Sequence, residues 1–183
     1  MALYYAWTKT PRDDDKAAAW FAKAAGQGQK NAKSAWGLFE FLRGNFPASA
    51  ALSKEASAGD TTPAILLWRY LSAARAGNTG KAVEELRSAR AQGQVASPSW
   101  KEKILDFHAG KIDSAEFMRL AQQTDRQELT KSCDANFHIA QAHLIAQRPD
   151  LARPLLEAMR TTCIPTDFQL KISNAELART PAQ

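Results

Sequence analysis

KAAAWFAKAAGQGQ, residues 16–29, is an alanine-rich stretch with two adjacent aromatics that breaks at glycines, and its reading decides the fold. Ala, Leu, Glu, Lys, Gln and Arg, the residues a helix accommodates at least cost, dominate here and along the whole chain, whereas alternating runs of Val, Ile and Thr are missing. The chain therefore reads as all helix. Turn-forming clusters interrupt it at GQGQK, RGNFP, SAGDTTP, AGNTG, AQGQVASPS, AGKID, AQRPD and TTCIPTD. They leave helices of about 10 to 16 residues, an even spacing that suggests antiparallel pairs.

A repeat underlies the spacing. Gly44, Gly77 and Gly110 follow one another at intervals of 33 residues, and five residues behind each stands a small one, Ser49, Ala82 and Ala115. Ala17 and Ala152 extend the series, which makes residues 16–29 the second helix of a first unit. A small residue early in the second helix lets the first helix of the same unit approach, and a larger residue four positions on fills the space beside it. Ala17 with Phe21, Ala82 with Leu86 and Ala152 with Leu156 fit this pattern. Ala24, Ala56 and Ala89 mark the next small site, where the following unit packs. In the first helices the corresponding pairs are Trp36 and Gly37, Arg69 and Tyr70, and Ile139 and Ala140. The fourth unit departs from the pattern, since Arg119 falls where a large apolar residue is expected. The expected architecture is one domain over residues 1–183: a right-handed solenoid of five hairpins at about 1–28, 30–60, 63–93, 97–125 and 133–161, with a capping helix over 166–179.

At these residues the sequence resembles the tetratricopeptide repeat, and KAAAWFAKAAGQGQKNAKSAWGLFEFLRG is similar to the related Sel-like repeat. Both resemblances imply stacked helical hairpins. The last fifty residues, from Cys133 to Phe137 through the Ala175, Glu176 and Leu177 element, resemble the terminal unit and capping helix of NlpI-type bacterial tetratricopeptide lipoproteins, with a shortened spacing. That resemblance implies a periplasmic adaptor that docks other envelope proteins, such as cell-wall hydrolases and proteases.

The composition is that of an ordinary folding chain: 183 residues, 45% hydrophobic and 23% charged. Its formal charge of +5 is spread along the sequence, with no basic face interleaved with aromatics, which argues against nucleic acid and for acidic protein partners. No apolar run reaches the roughly 18 residues of a membrane span. Met1 to Tyr5 is too short, and lacks the basic flank, for a secretory signal. A start at a processing site and an authentic cytosolic start both fit it, and the resemblance favours a periplasmic protein whose signal has been removed.

Cys133 opens the first helix of the fifth unit and Cys163 follows its second, so antiparallel packing brings the two together. A disulfide there would contribute roughly 3 to 4 kcal/mol; the alternative is two buried reduced thiols. His138 and His143, five apart, point from different helix faces, and His108 belongs to another unit, so no metal site is expected. Cys133 near His138 lacks the surroundings of an activated nucleophile. Asp13, Asp14 and Asp15 precede a helix that they can cap, and GQGQ follows a helix and reads as its C-cap. Neither catalysis nor a cofactor is indicated.

The inner face of a hairpin solenoid is lined by first-helix residues, here Ser34, Leu38, Phe41, Trp68, Leu71, Arg75, Lys101, Ile104, His108, His138 and Gln141. Phe41, Trp68, Arg75 and Lys101 are the leading candidates for partner contacts, with His108 and His138 beside them; the alternative for Phe41 and Trp68 is a place in the core between units. Ser34 and Leu38 stand where a carboxylate clamp would need Lys and Asn, which argues against capture of a peptide C-terminus. The function expected is a non-enzymatic scaffold that binds a peptide or protein along this groove. The alternative is an immunity or inhibitor protein that neutralises a toxin or envelope enzyme by direct binding.

Overall fold

A computed structural model describes residues 13–29, 31–58, 62–91, 99–123 and 128–180. The first helix expected for the first unit, within residues 1–12, lies outside these, as do parts of three predicted breaks. Among the described residues all regular structure is helical: α1 (Asp14–Gly26), α2 (Ala32–Arg43), α3 (Phe46–Ala56), α4 (Pro63–Arg75), α5 (Thr79–Ala91), α6 (Trp100–His108), α7 (Ser114–Ala121), α8 (Glu128–Ile145), α9 (Pro149–Thr162) and α10 (Phe168–Arg179). Their lengths run from 8 to 18 residues, a wider range than the break pattern implies. The widest departure is α8, which begins at Glu128 and so carries Cys133 inside it rather than at its start.

Local chemistry sets the helix ends. Asp13 accepts a hydrogen bond from the Lys16 amide at 3.1 Å and Asp113 one from Glu116 at 2.8 Å. Ser99 and Glu102 form a reciprocal capping box at the start of α6. Proline occupies the first turn of α3, α4 and α9, where its missing N–H costs nothing. The glycines of the 33-residue series end α2, α4 and α6 in the left-handed conformation, at φ +80°, +89° and +77°. After each, the next amide reaches back to the carbonyl five residues earlier: Asn45 to Glu40, Asn78 to Ala73, Lys111 to Asp106. Gln147 takes the same role after α8, at φ +58°. Gly28, in the GQGQ break, closes α1 in the same way, with the Gln29 amide on the Ala24 carbonyl.

The small-residue register holds in four units. Ala17 with Phe21, Ser49, Ala82 with Leu86, and Ala152 with Leu156 are all buried. At Ser49 the closeness is explicit, because its hydroxyl donates to the Gly37 carbonyl at 2.8 Å. A Cβ on Gly37 would lie 3.2 Å from Ser53 Oγ. In α7 the expected register is wrong. Ala115 and Arg119 are exposed, and the buried pair is Phe117 and Ala121. The physical reason is a three-ring stack: Phe117 lies between Trp100 at 5.1 Å and Phe107 at 4.8 Å, both nearly parallel, and that aromatic face outcompetes an alanine face.

Most helices pack against their sequence neighbours, and the substantial contacts beyond those join α4 to α6, α4 and α6 to α8, and α10 to α2 and α8. All of these are even-numbered, so the even-numbered helices form an inner layer, and α1, α3, α5, α7 and α9 pack outside it. One hydrophobic core runs from Phe41 on α2 to Leu177 on α10, while α1 is held by a separate small cluster of Ala17, Phe21 and Phe39. No described helix is long and apolar enough to cross a membrane.

Candidate functional site

The even-numbered helices carry the residues expected to line a groove, and α10 packs against α2 and α8 among them. Trp68 sits at the centre of an aromatic cluster, its ring 5.6 Å from Phe41, 6.0 Å from Phe137 and 5.6 Å from Phe168, which joins α2, α4, α8 and α10. Phe41 is fully buried and also meets Phe46 edge-on. The core alternative for Phe41 therefore holds. Trp68 is half-buried.

Arg75 is committed to α10. Its guanidinium donates to Gln141 Oε1 at 2.7 Å and to both carboxylate oxygens of Glu176 at 2.8 and 3.2 Å, and it lies 4.1 Å from the centre of the Phe46 ring. Arg179 adds a second cation at 3.1 Å from Glu176 and donates to the Leu42 carbonyl at 2.8 Å, which pins α10 to α2. The Gln141 amide nitrogen is buried with no hydrogen-bond partner.

His108 and His138, from separate units, meet in the core with Nε2 and Nδ1 2.9 Å apart. Burial pushes His108 down to about 3 and holds His138 well below the ordinary histidine range, so both rings are neutral and one donates to the other. The Tyr70 ring closes one side, 4.7 Å from His108. Phe41, His108 and His138 are buried, and the Arg75 guanidinium is engaged by Glu176, Gln141 and the Phe46 ring. Of the six residues expected to meet a partner, Lys101 is exposed, and Trp68 and Arg75 are partly so.

Among the described residues, concavities open beside α3 and α4. The first, an apolar cleft of about 80 Å³, is lined by Ser34 and Leu38 of α2, Ser53 and Ala56 of α3, and Ala64, Ile65 and Trp68 of α4. Three of these, Ser34, Leu38 and Trp68, were expected on the inner face. The second is a shallow depression of about 240 Å³ floored by Ala50, Ala51, Ala73 and Ala82 and rimmed by Lys54, Arg69, Asn78, Lys81 and Glu85. Arg69 pairs with Glu85 at 2.7 Å, so Lys54 and Lys81 bring positive charge beyond that pair. This patch was not foreseen from the residues, because it spans two second helices, α3 and α5, and the outer side of α4 between them. Its only sequence signal is a set of cations spaced along α3 to α5.

At the far end, Cys133 and Cys163 are bonded, with sulfurs 2.06 Å and Cα atoms 4.9 Å apart, tying α8 to the end of α9. Asp167, the cap residue of α10, accepts from the Ile164 amide at 3.1 Å. Next to it, Asp134 accepts from Trp100 and Gln169, each at 2.8 Å. Burial raises the Asp134 carboxyl to about 6; the Trp100 hydrogen bond opposes this and the neighbouring Asp167 charge adds to it. No protein family matches the sequence, and comparison with curated proteins finds no match.

Proposed function

We propose that the chain is a non-catalytic protein-binding module of the tetratricopeptide or Sel-like kind, a right-handed stack of hairpins whose inner face is sealed by its own closing helix. The partner then docks on the α3 and α4 side, inserting an apolar side chain against Leu38, Ile65 and Trp68. Acidic groups of the partner meet Lys54, Arg69 and Lys81. The observation that carries this reading is the apolar cleft itself: Trp68 gives part of its ring to the core and leaves part at an opening that α10 does not cover. Aromatic anchors in such openings supply much of the affinity of an interface, and a basic rim adds steering toward acidic surfaces. The Cys133–Cys163 bond supports an oxidising compartment and, with the resemblance to NlpI-type lipoproteins, an adaptor in the bacterial periplasm.

The test is crosslinking in the native cell from a photoreactive residue placed at position 38, followed by binding measurements with the purified partner. Leu38→Arg is expected to weaken binding by roughly tenfold or more, the scale of a lost anchor, and Lys54→Glu with Lys81→Glu to slow association. Arg160→Glu, on the exposed face of α9, serves as the control. Equal binding by wild type and Leu38→Arg would remove the cleft from the interface.

A further inference from the structure

The structure assigns a second, redox-dependent role to the Cys133–Cys163 pair: with the disulfide reduced, the two thiolates and the Asp167 carboxylate form a site for a zinc-type divalent cation. The sequence reading expected no metal, because it looked for histidine pairs and local cysteine motifs. The fold instead brings together ligands from α8, the end of α9 and the cap of α10. One sulfur or oxygen from each of Cys133, Cys163 and Asp167 lies within 4.8 Å of the others.

The geometry is close to what zinc needs. A tetrahedral ion with Zn–S near 2.3 Å and Zn–O near 2.1 Å places a sulfur and an oxygen ligand about 3.6 Å apart. Cys133 Sγ and Asp167 Oδ2 are 3.6 Å apart. A disulfide sulfur has no hydrogen to donate, so the bonded pair gives this carboxylate nothing to accept from that side. The Ile164 amide already fixes the carboxylate in place, so the ligand is preorganised. On reduction the two sulfurs separate, to about 3.8 Å for two thiolates on one tetrahedral ion. Both cysteines are buried, whereas Ile164, Pro165 and Thr166 beside them are exposed, which leaves a solvent path for a water as fourth ligand. Two thiolates with one carboxylate suit zinc over magnesium or calcium, which take all-oxygen sites.

The chemistry balances. A dithiol reductant gives two electrons and two protons to the S–S bond, leaving two protein thiols and itself oxidised to a disulfide. The cation then displaces both thiol protons and binds two thiolates. A small-molecule disulfide oxidant then accepts the two electrons and, with two protons from water, leaves as two thiols, which re-forms the protein S–S bond and releases the ion.

The experiment uses the full chain reduced with a phosphine, which takes the oxygen of a water molecule and leaves no competing thiol, and titrates it with cobalt(II) alone. Expected are the near-ultraviolet thiolate-to-cobalt charge-transfer band, visible bands of tetrahedral intensity saturating at equimolar metal, and displacement by zinc. Cys133→Ser and Cys163→Ser should each weaken the charge-transfer band, and Asp167→Asn should lower affinity about tenfold or more, since even outer-shell partners act on that scale. The oxidised chain should bind no cobalt in this mode. Should reduction unfold the chain, recovery of the helical circular dichroism on adding zinc supports the site, and failure to recover it overturns it. An absent charge-transfer band in the reduced chain, or Asp167→Asn binding as tightly as wild type, would also overturn it.

Discussion

Replacing Glu176 with Gln should destabilise the protein far more than a change of one atom suggests. The Glu176 carboxylate is 2% exposed and the Arg75 side chain 11%, and the two share hydrogen bonds at 2.8 and 3.2 Å. Glutamine keeps the shape and one acceptor oxygen but removes the charge, leaving the Arg75 guanidinium in the interior without a counter-ion. Removing one partner of a buried pair costs about 3 to 5 kcal/mol. The lower end is expected here, because Arg75 keeps Gln141 at 2.7 Å and the Phe46 ring, and Arg179 stays partly in solvent, at 32% exposed. For a chain of this size about 3 kcal/mol lowers Tm by roughly 6 to 12 °C. Urea unfolding with the disulfide intact, followed by far-ultraviolet circular dichroism, reads the effect directly. The companion variant, Arg75→Met with Glu176→Leu, removes both charges and should return to within about 1 kcal/mol of wild type, or exceed it. If Glu176→Gln costs less than about 1 kcal/mol, or the double variant is as unstable as the single one, the ion pair does not fix α10 in the way argued.

Two further outcomes follow from the same structure. His108 and His138 are held neutral below their unfolded value near 6.5, so the unfolded chain binds more protons. Stability should therefore fall as pH drops below about 6.5 and keep falling toward about 3, by up to about 1.4 kcal/mol per pH unit for each histidine, and His108→Gln should flatten the urea-midpoint profile over that range. Gly77→Ala places a Cβ in open space but at φ +89°, so it should cost about 1 to 2 kcal/mol in thermal unfolding through backbone strain alone; a neutral result would mean the α4 cap is not held left-handed.

Much of the local structure was legible in the residues. The glycine interval marked three helix ends, and Asp13, of the three acidic residues expected to cap, made the N-cap of α1, since these are decided within a single turn of chain. The small-residue register was legible in four units and misread in α7, where two faces of one short helix competed and a stack with Trp100 and Phe107 chose between them. The candidate site fared worse. Helix periodicity showed that Phe41, Trp68, Arg75, His108 and His138 share an inner face, but not what covers it.

The residue pattern showed that the chain is helical and where most of the described helices break, though not the break between α7 and α8, and that antiparallel packing brings Cys133 and Cys163 together, though not that Cys133 lies inside α8. Tertiary structure alone decided that α10 packs on α2 and α8 and that clefts open beside α3 and α4. The physical reason is range: caps and helix faces depend on residues three to five apart, whereas the Arg75–Glu176 contact spans 101 residues and exists only once α10 has folded back over the inner layer.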